Sequence, residues 1–210
     1  MPFLQSLFPQ NVSNHTIYHQ KSAYYLLIYK FAFCLFKTDI PNEAQMNILA
    51  IPGKMPATEL WLKQIIDNLD WNNQAVTLHK FSAWDNNQEF DIKTEIEHLP
   101  NGHYDILITK SIGTLIALNA QPNITWDRLI FIGVALSLYD DDDKKKLTAL
   151  TQTTTPTLVI QETSDPFGSF NELKTLLGNS DNVTCIEVAG EHHQYKDTHQ
   201  IAQIIKDWEQ

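Results

Sequence analysis

The stretch Tyr104–Leu118, YDILITKSIGTLIAL, decides how the rest of the chain is read. Asp105–Thr109 is a short apolar run with β character, and Ile112–Leu118 continues as a run suited to a buried helix. Ser111 stands at the junction, with Gly113 two residues on. A strand that turns sharply into a helix forces its turn residue into a strained backbone conformation. It pushes that side chain out beyond the strand's C-terminal end and aims the first N–H groups of the helix at the same spot. A serine there is exposed as a nucleophile beside donors for an oxyanion. The close backbone approach demands small neighbours, a need that Gly113 meets and Thr109 meets only in part. The same residues, Thr109-Lys110-Ser111-Ile112-Gly113, also fit an ordinary β–α turn whose serine caps the helix.

Outward from this stretch, apolar runs alternate with helical periodicity. Upstream, Met46–Ile51 reads as a strand ending in Pro52-Gly53-Lys54, and Met55–Leu69 as an amphipathic helix. Gln74–His79 reads as a second strand, Phe81–Asn87 as a polar loop around Trp84, and Phe90–Leu99 as a helix. Downstream, Pro122–Trp126 reads as a connector and Arg128–Ala135 as a near-continuous apolar strand. Asp140–Asp143 followed by Lys144–Lys146 suits a helix start, acids at the positive end of the dipole. Thr157–Gln161 and Val183–Val188 read as strands, Phe170–Leu177 and Thr198–Trp208 as helices. Strands that are apolar throughout and alternate with helices mark a parallel sheet covered on both faces. The expected fold is α/β: a three-layer α/β/α sandwich with a mostly parallel, doubly wound sheet. The stretch between Ala135 and Thr157 is too short for a separate cap domain. In such sheets ligands bind beyond the carboxyl ends of the strands.

Composition narrows the function classes. A chain of 210 residues with 43% hydrophobic and 19% charged content can bury one sizeable core. A net charge of −10, with 15 Lys and Arg spread thinly, argues against a nucleic-acid surface. Cys34 and Cys185 form no C-x-x-C pair and read as reduced thiols, which suits a cytoplasmic protein. No cofactor is expected. No metal is expected either, since Glu191, His192 and His193 lack ligand spacing on one face. Residues 1–21 read as a poorly ordered leader, and 22–210 as one domain with its core in 46–210. Within the domain, Ala23–Phe36 (AYYLLIYKFAFCLF) is intensely apolar. It falls short of the roughly 20 residues that span a bilayer, is broken by Lys30, and lacks a signal-peptide pattern. A buried strand or strand pair fits it, with a short helix or membrane contact as alternatives. An apolar N-terminal strand could pair between chains, so a monomer or a homodimer is expected.

A serine hydroxyl needs a base within hydrogen-bond reach, and the base needs a third group to hold its tautomer. Both stand where a doubly wound sheet would place them. Asp165 follows the strand Thr157–Gln161, in Thr163-Ser164-Asp165-Pro166-Phe167. His193 follows Val183–Val188, in Gly190-Glu191-His192-His193, with His192 as its competitor for the role. With Ser111, all three lie just past strand ends at one edge of the sheet, in the order Ser, Asp, His. Asp197 and the histidines at 15, 19, 79, 98, 103 and 199 read as surface or satisfied side chains.

In that order and setting the chain resembles the α/β-hydrolase superfamily, and is most similar to the small, lid-poor members related to dienelactone hydrolases. In many of those the acid loop reads like Gly-Thr-x-Asp-Pro-Phe and the histidine loop like Gly-x-x-His. The resemblance runs from about Met46 to the C-terminus. It implies a serine hydrolase acting on a small carboxylic ester or thioester. Ser111 would be nucleophile, His193 general base and then acid, and Asp165 the group that orients it. It further implies an oxyanion hole made by the backbone N–H of Ile112 and by that of Lys54 or Met55, in the turn after Met46–Ile51. Two departures stand out: Thr109 replaces the first elbow glycine, and Pro52-Gly53-Lys54 stands where the family often has His-Gly. They motivate a rival expectation, a catalytically impaired binding or scaffold protein on the same fold. Lys110, beside the serine, either favours an anionic substrate or points to solvent.

Overall fold

Six apolar strands pair in parallel in the computed structural model, which describes residues 45–210 except 72, 87 and 88. They are β1 (Asn47–Ile51), β2 (Ala75–Leu78), β3 (Gly102–Lys110), β4 (Ile124–Ile132), β5 (Thr157–Glu162) and β6 (Val183–Val188). The order across the sheet is β2-β1-β3-β4-β5-β6, with every neighbouring pair parallel. The central strands are buried on both faces, which is why their sequences are continuously apolar rather than alternating. The expectations for residues 1–21 and 23–36, and Cys34, lie outside the described residues.

The helices are α1 (Ala57–Asn68), α2 (Ser82–Asn86), α3 (Ile92–Glu97), α4 (Ile112–Asn119), α5 (Asp141–Ala149), α6 (Phe170–Leu177) and α7 (Thr198–Glu209). On one face of the sheet, Leu62, Ile65 and Ile66 of α1 and Ile201, Ala202 and Ile205 of α7 pack on Ile48, Ile106, Ile130 and Ile160. On the other, residues of α4, α5 and α6 pack on Leu49, Leu107, Leu129 and Val159. The result is the expected three-layer sandwich, with no large cap among the described residues. Residues Gln45–Gln210 form one compact unit.

Strand order reverses between β1 and β3. The chain leaves both strands at their carboxyl ends in opposite lateral directions, which opens a crevice there. Ser111 follows β3, and Pro52–Met55 follows β1, so both border that crevice.

Three boundaries depart from the sequence reading. Residues 81–86 do not form a plain loop, because the buried Glu95 carboxylate of α3 accepts from Ser82 N, Ser82 Oγ and Ala83 N and so caps the short α2. Pro122–Trp126 is not merely a connector: β4 begins at Ile124, opposite Gly102. β4 also ends at Ile132 instead of Ala135, because Gly133 turns the chain at φ 63°. Asp140 caps α5 in a capping box with Asp143, as the acid run suggested.

Candidate active site

The turn from β3 into α4 takes its shape from backbone packing. Ser111 sits at φ 57°, ψ −122°, a conformation an L-residue adopts only when its surroundings dictate it. Two contacts dictate it here. Ser111 N–H donates to Ile132 O at 3.0 Å, extending the β3–β4 ladder into the turn. Gly113 lies so close to β1 that a Cβ there would come within 2.6 Å of Pro52 O and 2.7 Å of Ile51 O. Thr109 is accommodated without strain, because it is still within β3, opposite Ile51 and Phe131. Its Oγ1 has no hydrogen-bond partner among the described residues.

Ser111 makes no side-chain cap to α4. Its Oγ instead lies 2.7 Å from Nε2 of His193, and Nδ1 of His193 lies 2.6 Å from Oδ2 of Asp165. The three residues expected from the sequence are thus brought into one hydrogen-bonded row. The Asp165 side chain is fully buried and that of His193 is 12% exposed. His192, the competitor, is turned outward beside Glu191 with its side chain 64% exposed.

Asp165 is held ionised against its burial. Desolvation alone pushes its carboxyl up. The bond to His193, the Phe167 N–H to Oδ1 (2.9 Å), the charge of His193 and the Tyr195 hydroxyl to Oδ2 (2.8 Å) outweigh it, and the net shift is downward. Tyr195 in turn stays protonated, since burial and then the Asp165 charge drive its hydroxyl far above the usual tyrosine range. It can therefore only donate to Asp165, while accepting from Glu162 N–H at 2.8 Å. The ring of Phe167, 39% exposed, covers the imidazole with centroids 4.6 Å apart.

The turn expected to supply oxyanion donors reaches the serine: a Cβ on Gly53 would lie 3.3 Å from Ser111 Cβ. Thr58 Oγ1 donates to Gly53 O and Trp84 Nε1 donates to Lys54 O, both at 2.8 Å. In a trans peptide N–H and C=O point in opposite directions. Pinning these two carbonyls therefore turns the N–H groups of Lys54 and Met55 away from Thr58 and Trp84 respectively. Ile112, 4% exposed, opens α4 directly after the serine.

Lys110 does not point to solvent, the second of the two expectations for it: its side chain is buried beneath the histidine loop. Side chains alternate along a strand, so Lys110 projects to the face opposite Thr109 and is 3% exposed. There its Nζ donates to the carbonyl of His193 at 3.2 Å and stands 4.4 Å from the centroid of the Tyr195 ring. Sequence reasoning also missed Glu162 and Tyr195. A carboxylate closing the apolar strand TLVIQE was a usable signal, since such a charge is buried only with partners; nothing local marked Tyr195. His79 is not a satisfied histidine either, being 7% exposed with Nε2 unpartnered among the described residues. Burial lowers its pKa.

Among the described residues, no group of three or more His, Cys, Asp or Glu could hold a metal ion, and no helix is long and apolar enough to cross a membrane. A family model described as an alpha/beta hydrolase domain matches residues 80–207. No curated protein matches the chain in sequence. Solved structures similar to it include alpha/beta hydrolase domain-containing protein 10 from mouse, at 14% identity and TM-score 0.54, covering 77% of this chain and 88% of that one. A meta-cleavage product hydrolase from Pseudomonas fluorescens aligns at 11% identity and TM-score 0.55, covering 78% and 90%. An esterase from Exiguobacterium antarcticum aligns at 11% identity and TM-score 0.54, covering 79% and 92%. At these identities the likeness is one of fold.

Proposed function

The chain belongs to the alpha/beta hydrolase domain family and is a hydrolase, and from that premise we propose that it is a serine hydrolase cleaving a small carboxylic ester or thioester through an acyl-enzyme. The observation that carries this reading is the unbroken row Ser111 Oγ, His193 and Asp165, with links of 2.7 and 2.6 Å. Ser111 attacks the substrate carbonyl while Nε2 of His193 takes its proton. The C–O π electrons move onto the carbonyl oxygen, which the N–H groups of Ile112 and of Lys54 or Met55 stabilise. Each such donor is worth about 2.7–4 kcal/mol in the transition state. His193 then returns the proton to the departing alcohol or thiol as its bond to the acyl carbon breaks. Water then attacks the acyl carbon as it loses a proton to His193, and the acyl–Oγ bond breaks as His193 passes that proton to Ser111 Oγ, releasing the acid. Asp165 fixes the imidazole tautomer and stabilises its cation in both halves.

The substrate reading has its own support. The Phe167 ring lies on His193, and Leu138, 48% exposed, belongs to the turn whose Ser137 N–H bonds Phe167 O at 2.7 Å. That exposed apolar surface beside His193 suits a short apolar acyl group. On the acid and histidine loop motifs, we place the chain beside the lid-poor enzymes related to dienelactone hydrolases. Its functional domain takes in the core 46–210, working in the cytoplasm as a monomer or homodimer. The test is turnover of short p-nitrophenyl esters by the whole chain and by His193→Ala. Turnover in the former and its loss in the latter are expected. A folded wild-type chain without turnover would favour the scaffold alternative.

A further inference from the structure

The backbone of His193 is gripped from both sides by buried groups of opposite charge. On its N–H side is Glu162, 5% exposed at the end of β5. Its carboxylate accepts from His192 N at 2.9 Å and from His193 N and Tyr195 N at 2.8 Å each. On its C=O side is the Lys110 ammonium. His193 needs such a grip. Its φ is 61° and that of Tyr195 is 51°, both in the left-handed region that costs a non-glycine residue energy unless it is held. Trp61 Nε1 adds a bond to Tyr195 O at 2.8 Å.

Both charged groups sit in room made by glycines. A Cβ on Gly133 would come 2.8 Å from Lys110 Nζ and 2.6 Å from the Tyr195 ring. A Cβ on Gly190 would overlap the Glu162 carboxyl carbon. A buried ammonium and a buried carboxylate are costly, and hydrophobic residues of similar volume often stabilise a fold as well or better. Here they lie directly behind the one residue that must move protons.

The geometry points to Lys110 and Glu162 as positioning residues that hold His193 in register with Ser111, with hydrolysis depending on the Lys110 charge and failing as that charge is lost. This rests on the serine-hydrolase reading above. The groups facing Lys110 are Glu162 and Asp165 from β5 and its loop, His193 and Tyr195 from the histidine loop, and Trp61 from α1, 5.7 Å away. Burial is the largest influence on the ammonium and lowers its pKa to about 7, against the pull of Asp165 and then Glu162. Losing the proton leaves a weaker donor to His193 O and removes the cation from the Tyr195 face.

The test is kcat/KM against pH, with melting temperature, for wild type, Lys110→Met and Glu162→Gln. Wild-type activity should fall as pH rises through about 7. Lys110→Met should melt no lower than wild type and keep KM within a few-fold. Its kcat should drop about 10- to 100-fold, the scale of a small misplacement of a reacting group, and the alkaline fall should vanish. Glu162→Gln removes an influence that raises the Lys110 pKa, so its alkaline fall should move to lower pH. That measurement and the wild-type profile decide the matter even where Lys110→Met does not fold. Wild-type activity that stays flat to about pH 9, or a folded Lys110→Met with wild-type kcat, overturns the inference and leaves the serine-hydrolase reading standing. A wild type without turnover at any pH overturns both.

Discussion

The serine turn and the histidine loop deliver their side chains to the same point by different means. Ser111 is placed by backbone alone: the β3–β4 ladder runs up to its N–H, and the missing side chain of Gly113 lets α4 close on the carbonyls of Ile51 and Pro52. His193 lies in a segment without helix or strand between β6 and α7, and side chains place it: Glu162 and Lys110 on its backbone, Asp165 on its ring, Tyr195 behind Asp165. The first arrangement is enforced by sterics and should respond to added volume. The second is enforced by charge and hydrogen bonds, and should respond to pH and to changes too small to alter packing.

The sharpest break of this comparison is Asp165→Asn. It keeps the volume but removes the negative charge and the assured acceptor for Nδ1–H, so kcat should fall by about 10⁴-fold with little loss of fold. Steady-state kinetics and a thermal melt measure the two. Gly113→Ala should do the reverse at the serine turn. The added methyl meets two backbone oxygens that cannot step aside, so unfolding in urea should show a loss of about 3 kcal/mol. A Gly113→Ala protein as stable as wild type would mean that packing does not set the serine's backbone.

Tyr195→Phe sharpens the histidine side. The hydroxyl donates to Asp165 and accepts from Glu162 N–H, so its removal should cost about 1–2 kcal/mol of stability. Activity should fall several-fold, far less than for Asp165→Asn, because Asp165 keeps its bonds to His193 and Phe167.

The most gradual effect is the slope of stability with pH. Lys110 binds its proton less tightly folded, at about 7, than unfolded, at its ordinary 10.5. Between those values the unfolded chain holds more protons, so this residue makes the fold more stable as pH rises. Asp165 has the opposite history: its folded pKa lies below the ordinary 3.8. Its contribution is full above that value and is lost as pH falls through the lower folded one. Urea midpoints measured against pH should show an alkaline rise that Lys110→Met flattens, over the same range in which wild-type activity declines.

The same contrast explains what could be read in the sequence. The serine turn was legible because its determinants are consecutive: an apolar strand, a serine, a glycine and a buried helix. The sheet was legible because burial on both faces writes itself as unbroken apolar runs. Asp165 and His193 were legible as residues beyond strand ends. Their support was not, because it depends on which face of a strand end a side chain takes and on which distant carbonyl it meets. Lys110 was misread for that reason. In sequence it is the serine's neighbour, but in space it sits beneath His193, 83 positions along the chain. The short helix at Ser82–Asn86 was hidden in the same way, its caps being supplied by Glu95.

The most direct test treats the full chain at neutral pH with a fluorophosphonate, which captures a serine only when a base has activated it. Intact mass should rise by one adduct, peptide mapping should place it on Ser111, and both Ser111→Ala and His193→Ala should abolish it. An adduct that persists in Ser111→Ala, or a folded wild-type chain that takes none, would contradict the account.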